Sequence, residues 1–362
     1  MMSMHSILKI SRNNRGVALL ITLSIISILV VTTLELNKRT RTSVYLSATA
    51  RDRVTLNHMA MSGVHAAMAF LVKDKEDSEV DSVQEDWADP EKLSELISDI
   101  PFETGELNVT IIDELGKIQV NALVNFPEGR QFNESQRELW DHFLNLAISP
   151  LDRTEDTAPA PIINSLKDWL DYGDDDATTG LSGAESDYYQ DLDPPYSCRN
   201  GPITHLGELP MVKGITPEFF EGVGGVPGID AYMTVQGMTV TQGNRYTFKG
   251  VININTADLP VIAAILPAEN ELLAQSIFEY RSAMSDEAYA HDLSSPEWYK
   301  DAPGCSDVEI DSRLITLSSD IFRIDSEATL HGVKMTTAAI VTRLKDKETG
   351  KWRAKLLSWE EK

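Results

Sequence analysis

The densest set of ionisable groups in the chain lies in residues 171–187 (DYGDDDATTGLSGAESD), where Asp171, Asp174, Asp175, Asp176, Glu185 and Asp187 are interleaved with Gly173, Gly180 and Gly183. Carboxylates this close repel one another unless water or a cation stands between them. Calcium binds several oxygens in flexible geometry and suits such a loop. Taking Asp174 as the first position of an EF-type loop places Asp176 third, Thr178 fifth and Glu185 twelfth, but Thr179 stands sixth, where that loop takes glycine. A solvated acidic loop and a calcium-holding loop both fit these residues.

No other constellation assembles a reaction. The histidines (His5, His58, His65, His142, His205, His291, His331) form no closely spaced ligand pair and no HExxH motif, so a zinc hydrolase is not supported. Residues 180–184 (GLSGA) fall one short of a nucleophile elbow. Residues 222–227 lack the last glycine of a dinucleotide fingerprint, and Pro227 has no amide to give a phosphate. Cys198 and Cys305 match no zinc spacing, although an oxidising compartment would allow them one disulfide. Lys and Arg number 32 against 56 Asp and Glu, a formal charge of -24 that repels phosphate backbones and argues against nucleic acid as a partner. A glycine turn at 209–220 between two helical stretches does not change this, because Lys213 faces Glu208, Glu218 and Glu221.

The elements that would carry these groups can be read from periodicity. The chain has 362 residues, 42% hydrophobic and 24% charged, which is globular composition with room for two or three units. Residues 17–34 contain no charge and as a helix would extend about 27 Å, close to a hydrocarbon core. Lys9, Arg12 and Arg15 precede this run, with no acid among them, and Lys38, Arg39 and Arg41 follow it. Charge balance alone therefore leaves orientation open. The sequence after the run, Thr32-Thr33-Leu34-Glu35-Leu36, is a poor signal-peptidase site. Val44, Ala48, Val54, Met61, Val64, Met68 and Leu71 continue a helical pattern to about residue 72 with no proline, so the second half must pack on a globular domain.

Beyond the helix, residues 106–113 and 117–123 have strand character and flank Glu114-Leu115-Gly116, which predicts a hairpin. Helical spacing then takes over at 134–147, 162–171 and 203–209, with a further pair at 253–264 and 271–283. Strands resume at 321–330, 333–345 and 352–359, joined by His331-Gly332 and Glu348-Thr349-Gly350, and can complete the sheet begun near residue 106. The expected class is α+β, an antiparallel sheet on a long helix with a large helical insert.

A short basic leader ending at Gly16, followed at once by an apolar and then amphipathic helix, resembles the class III leader of type IV pilins and pseudopilins. Cleavage after Gly16 would leave Val17 first, and Ile21 then stands fifth, where most such subunits carry glutamate. That absence is similar to one branch, the minor pseudopilin general secretion pathway protein K of the type II secretion system. Asp168-Trp169-Leu170-Asp171, Gly183-Ala184-Glu185-Ser186-Asp187-Tyr188-Tyr189, Asp193-Pro194-Pro195-Tyr196, Asn200-Gly201-Pro202 and Ile252-Asn253-Ile254-Asn255-Thr256-Ala257 also resemble that family, in its order.

The resemblance implies a pilin-like fold with SAM-like helical units that bind no nucleic acid, and no enzymatic activity. It divides the chain into a leader (1–16), an N-terminal helix (17–72, spanning the membrane over 17–34), a first pilin-like part (73–125), a first insert with the acidic loop (126–245), a second helical unit (246–290) and the C-terminal strands (291–362). It implies calcium in the insert, with Asp171, Asp174, Asp176, Glu185 and Asp187 as expected ligands. The implied partners are the minor pseudopilins of families I, J and H, the major pseudopilin, prepilin peptidase, inner-membrane lipid, and secreted cargo or the outer-membrane secretin. The expected role is at the tip of a periplasmic pseudopilus, anchored in the inner membrane. The alternative is a type IV pilus minor pilin serving as tip adhesin or DNA-uptake subunit.

Overall fold

A computed structural model describes residues 15–98, 102, 104–148, 156–173, 178–241, 243, 245–286 and 288–361, so that most of the leader lies outside the described residues. The chain divides into two compact units, Met1–His58 and Met59–Lys362. Helix α1 (Arg15–Asp77) contributes to both.

In the first unit the uncharged run is helical and its large apolar side chains are exposed. Among the described residues α1 is the one helix long and apolar enough to cross a membrane, with a mean hydropathy of 2.7 over its most apolar window. Four hydroxyls within that run bond back onto the helix. Thr22 donates to the Leu19 carbonyl, Ser24 to Leu20, and Thr32 and Thr33 to Leu29. Their donors are thereby satisfied without water, which an apolar surrounding requires.

The second unit is built on a four-stranded antiparallel sheet of β1 (Glu106–Asp113), β2 (Ile321–Leu330), β3 (Val333–Lys345) and β4 (Trp352–Glu361), in that spatial order. Along β2 alternate residues turn inward, and Phe322 and Ile324 join Val109, Ile111, Ala339 and Val341 against Val64, Ala67 and Leu71 of α1. Helix α2 (Pro90–Ser98) completes this layer with Leu93 and Ile97, and Trp87 sits edge-on to Phe322 at 5.2 Å. His331 and Gly332 both have positive φ (50° and 78°), as the two-residue turn between β2 and β3 demands. The three C-terminal strands therefore complete the sheet begun at residue 106, as the alternation predicts.

The hairpin expected between 106–113 and 117–123 does not form. The neighbour of β1 is β2, while Ile118–Gln119 pairs in parallel with Met233–Thr234. Residues 118–124 have no solvated face, since Gln119 and Asn121 are buried along with Ile118, Val120, Ala122 and Leu123. The Gln119 side chain accepts from the Asn121 and Ala122 amides and curls the segment into a tight helical turn instead. The chain thus leaves the sheet at Asp113 and returns at Ile321.

Between those points lie α3 (Glu134–Ala147), α4 (Pro159–Leu170), α5 (Ser186–Gln190), α6 (Pro217–Glu221), α7 (Leu259–Ile265) and α8 (Ala274–Ser282). One apolar core joins them, drawing side chains from Ile118 through Trp140, Trp169, Ile262 and Trp298 to Leu314. Residues 253–258, expected to begin a helix, instead run from a two-residue parallel strand pairing with Ile315–Thr316 into the N-terminus of α7.

Gly63 marks the closest approach of α1 to the sheet. An added Cβ there would meet Ser326 Oγ at 2.4 Å and Val109 Cγ2 at 2.8 Å. Gly63→Val is therefore expected to cost about 1–3 kcal/mol of unfolding free energy by overpacking. Denaturant melts of variant and parent check this, and equal midpoints would contradict the packing.

Candidate functional site

The acidic loop is organised by α4. Pro159 occupies the first turn of this helix, where its missing amide costs nothing, and the helical repeat carries Ile162, Leu166, Asp168 and Trp169 into the insert core. Asp168 is fully buried, and both of its carboxylate oxygens accept the Thr179 amide, at 3.1 and 3.0 Å. Burial holds the Asp168 carboxyl above the usual carboxylate range, against the pull of these hydrogen bonds. A Cβ on Gly183 would lie 2.1 Å from Asp168 Oδ2, so this position requires glycine. Lys167 Nζ bridges Asp171 Oδ2 at 2.6 Å and Thr179 Oγ1 at 2.9 Å.

The sequence stretches around the loop close on one another. Trp169 meets Tyr189 edge-on at 5.0 Å, and Tyr189 stacks on Tyr196 at 5.3 Å. The Cys198 thiol donates to the Asp168 carbonyl at 3.4 Å, and the Cys198 amide donates to Ser186 Oγ at 3.3 Å. Asn121, which sequence reasoning passed over, fixes the wall from behind. Its side chain donates to the Ile203 carbonyl at 3.0 Å and accepts the Ile203 amide at 2.7 Å, as a paired strand would.

Of the expected ligands, Asp171 is buried at the C-terminus of α4, Glu185 stands at the N-cap position of α5 without a capping side-chain hydrogen bond, and Asp187 is exposed in the first turn of α5. Asp171 Oδ1 and Glu185 Oε2 are both shielded from solvent. Asp174 and Asp176 lie outside the described residues. Among the described residues, the three acidic groups whose oxygens lie within 4.8 Å of one another are elsewhere, at Asp74, Asp81 and Glu85. The two cysteines are both buried and are separate thiols, not a disulfide.

That second acidic group belongs to a polar node at the seam between sheet and insert. Asp81 is fully buried and receives Lys75 Nζ at 3.1 Å, the Ser319 amide at 2.8 Å and the Arg343 guanidinium. Arg343, on β3, also donates to Asp74 Oδ2 at 3.1 Å and to the Leu71 carbonyl at 3.2 Å, and its charged plane lies 4.5 Å from the Phe322 ring. Asp113, the last residue of β1, accepts Ser319 Oγ and Thr256 Oγ1 at 2.6 Å each, Asn253 Nδ2 at 2.9 Å and the Leu115 amide at 2.8 Å. Asn253 donates as well to the Asp81 carbonyl at 2.9 Å. Asn255 accepts the Trp298 indole N–H at 2.7 Å. The Asn-Ile-Asn-Thr stretch is thus a structural seam, and the cations meeting Asp74 and Asp81 are side chains.

Burial, followed by the charges of Glu85 and Asp81, pushes the Asp74 carboxyl up to about 7, against the opposing pull of Arg343. Burial pushes Asp113 up to about 6 despite its four donors. In the first unit, Gly16, Val17 and Ile21 all lie on α1, with the Val17 and Ile21 side chains exposed; a Cβ at Gly16 would meet nothing within 4 Å.

The family model for type II secretion system protein K matches residues 116–223, the part of the insert that holds the loop and its aromatic wall. The type II secretion system protein K of Klebsiella pneumoniae is 25% identical over 303 residues, covering 80% of this chain and 82% of its own. That of Aeromonas hydrophila is 24% identical over 211 residues, covering 58% and 61%. That of Pseudomonas aeruginosa is 26% identical over 260 residues, covering 70% and 68%. Among solved structures, the GspK–GspI–GspJ complex of the enterotoxigenic Escherichia coli type 2 secretion system contains a chain with the same fold, at a TM-score of 0.59 and 16% identity. The match covers 87% of this chain and 99% of that one.

The node sets a pH dependence. A carboxyl whose folded pKa exceeds its unfolded one stabilises the fold fully below the unfolded value and loses that contribution as pH rises through the folded value. Asp74 and Asp113 both behave this way, so their contribution fades between about pH 4 and 7. Asp311, held at about 2 first by its hydrogen bond from Arg313, titrates below that window. The thermal midpoint should fall from pH 5 to pH 8, and the fall should be shallower in Asp74→Asn. A parent midpoint that rises over this interval would reverse the assignment.

Proposed function

We infer that the chain is a member of the type II secretion system protein K family and serves as a minor pseudopilin of that system. The observation that carries this is the coincidence of the family-matched segment, 116–223, with the folded wall formed by the Asp168, Glu185, Tyr189 and Tyr196 stretches. The similar solved chain was crystallised with GspI and GspJ, which supports other minor pseudopilins as partners. A type IV pilus adhesin has no such support.

The finer reading is that the subunit ends the pseudopilus and starts its assembly. Two features support it. Ile21 places no carboxylate in the apolar helix, and a carboxylate there is tolerable only when paired, for instance with the N-terminal amine of a neighbouring subunit. A subunit with nothing stacked above it needs no such pair. The second feature is the insert, an added folded mass between β1 and β2 that an internal position in a fibre would have to accommodate. On this reading prepilin peptidase cuts after Gly16, α1 waits in the inner membrane, and the sheet and insert stand in the periplasm. The major pseudopilin, the family H subunit and the secretin belong to the same scheme.

The acidic loop fits a hard cation by donor chemistry, since its groups are oxygens and those of Asp171 and Glu185 are turned away from solvent. Asp171, Glu185 and Asp187 would hold calcium, joined by Asp174 and Asp176, and Lys167 would balance the remaining charge on Asp171. Calcium would then act as a structural clamp between the end of α4 and the start of α5.

Two measurements test these readings. In a host whose type II system exports a reporter enzyme, loss of this chain should leave the enzyme in the periplasm, and the mature protein recovered from its membranes should begin at Val17. Normal export without the chain would overturn the assignment. For the loop, calcium at about a hundred times its dissociation constant should stabilise the fold by about 2.7 kcal/mol. A chelator should undo this, and Glu185→Gln should blunt it; a midpoint indifferent to both additions would discard the calcium.

A further inference from the structure

The apolar run of α1 is followed within two helical turns by Lys38, Arg39 and Arg41. This is out of keeping with a chain whose formal charge is -24. The neighbouring threonine hydroxyls bond back onto the helix. Thr40 donates to the Leu36 carbonyl at 2.9 Å and Thr42 to the Lys38 carbonyl at 3.0 Å. Arg39 meets Glu35 at 2.9 Å across an exposed i,i+4 pair, which solvent leaves weak. Among the described residues Lys38 and Arg41 enter no ion pair, and all three cations are exposed. One turn further on stands Tyr45, 72% exposed, an amphipathic ring of the kind that settles at headgroup level.

The axial spacing decides what these cations can reach. At the rise of an α-helix, Lys38 and Arg41 lie about 3–8 Å beyond Leu36, the last apolar residue before the cations. That is within about one screening length of the headgroup plane at physiological salt. With the helix in a bilayer to Leu34 or Leu36, the three side chains can snorkel only into phosphate-bearing headgroups.

We propose that Lys38, Arg39 and Arg41 form a cationic collar that binds anionic phospholipid headgroups at the leaflet facing the globular domain. This rests on the reading of 17–34 as a membrane segment. The collar deepens that reading by naming the lipid. It also separates the two ends of the span: cleavage after Gly16 removes Lys9, Arg12 and Arg15, and the collar is then the cationic cluster left to hold the helix in place. The mature subunit is pinned at the edge through which it must leave to join a fibre.

The test uses the mature chain reconstituted in phosphatidylcholine vesicles with a trace of spin-labelled phosphatidylglycerol or spin-labelled phosphatidylcholine. The fraction of each label immobilised at the protein surface is read by electron spin resonance. The glycerol lipid should be preferred by about five-fold or more at low salt, since each cation near the surface contributes about that factor. The preference should fade near about 0.5 M salt, where the screening length is about 4 Å. It should also be lost in the K38Q/R39Q/R41Q variant and kept in K38R/R39K/R41K, changes confined to exposed helical positions. Immobilisation of both labels equally, or a preference unchanged in the glutamine variant, overturns the collar alone. Immobilisation of neither label shows that the helix is not in the bilayer and overturns the membrane reading together with the collar.

Discussion

A guanidinium with no exposed surface must be met by charge and by carbonyls, because stripping its water costs several kcal/mol even after the protein relaxes. Arg343 is in that position, and what it finds comes from three separate parts of the chain. Asp74 and the Leu71 carbonyl belong to the end of α1, Asp81 to the segment that follows, and the Ser319 carbonyl to the residues entering β2. Withdrawing any one of these elements would take at least one hydrogen bond from a buried charge. Replacing a buried ion pair by apolar side chains is often neutral or better for stability, so the value of this arrangement lies in registry. It fixes where α1 ends against the sheet, where apolar packing alone, through Val64, Ala67 and Leu71, would tolerate sliding.

The same node shows what could be read in the sequence and what could not. The β2 and β3 bounds follow from alternation and from a His-Gly turn whose residues both take positive φ, since a strand with one wet face announces itself residue by residue, whereas β4, with no buried alternating face, runs to Glu361, beyond its expected end at 359. Helix α3 follows from its apolar spacing in the same way. Residues 117–123 misled because their strand character was real but their partner was not. A run whose polar members, Gln119 and Asn121, are buried carries no signal of which chain segment it will meet. Asn253 and Asn255 were visible as a motif, yet their work as hydrogen-bond bridges to Asp81, Asp113 and Trp298 depends on residues far away in sequence. Arg343 itself looked like one more cation in a strand, because only tertiary structure distinguishes a buried arginine from a solvated one.

Carboxylates illustrate the limit most directly. The sequence draws the eye to 171–187, where they are adjacent, and misses Asp74, Asp81 and Glu85, which are spread over twelve positions and brought together by the turn at the end of α1. Proximity in sequence raises the charge density of a loop but does not bury it. The acid that matters most around the loop, Asp168, is not part of the acidic run at all. It sits on the inner face of α4 and closes the loop by accepting the Thr179 amide, and Gly183 is small because that carboxylate needs the space.

An insert the size of a domain between two neighbouring strands need not be costly, because closing a long loop costs only a logarithm of its length. A segment with its own core pays most of that ordering internally, and this one has such a core, running from Ile118 to Leu314. What remains is to hold its two ends where β1 stops and β2 starts. Asp113 and Ser319 stand at those two points and are joined directly at 2.6 Å, while Asn253, from the middle of the insert, donates to both. The seam is therefore polar, short-ranged and directional, whereas the layers on either side are apolar. Such a junction transmits position more faithfully than it adds stability. It fixes the insert to the sheet and α1 at a few directional contacts and leaves the rest of the insert to its own core.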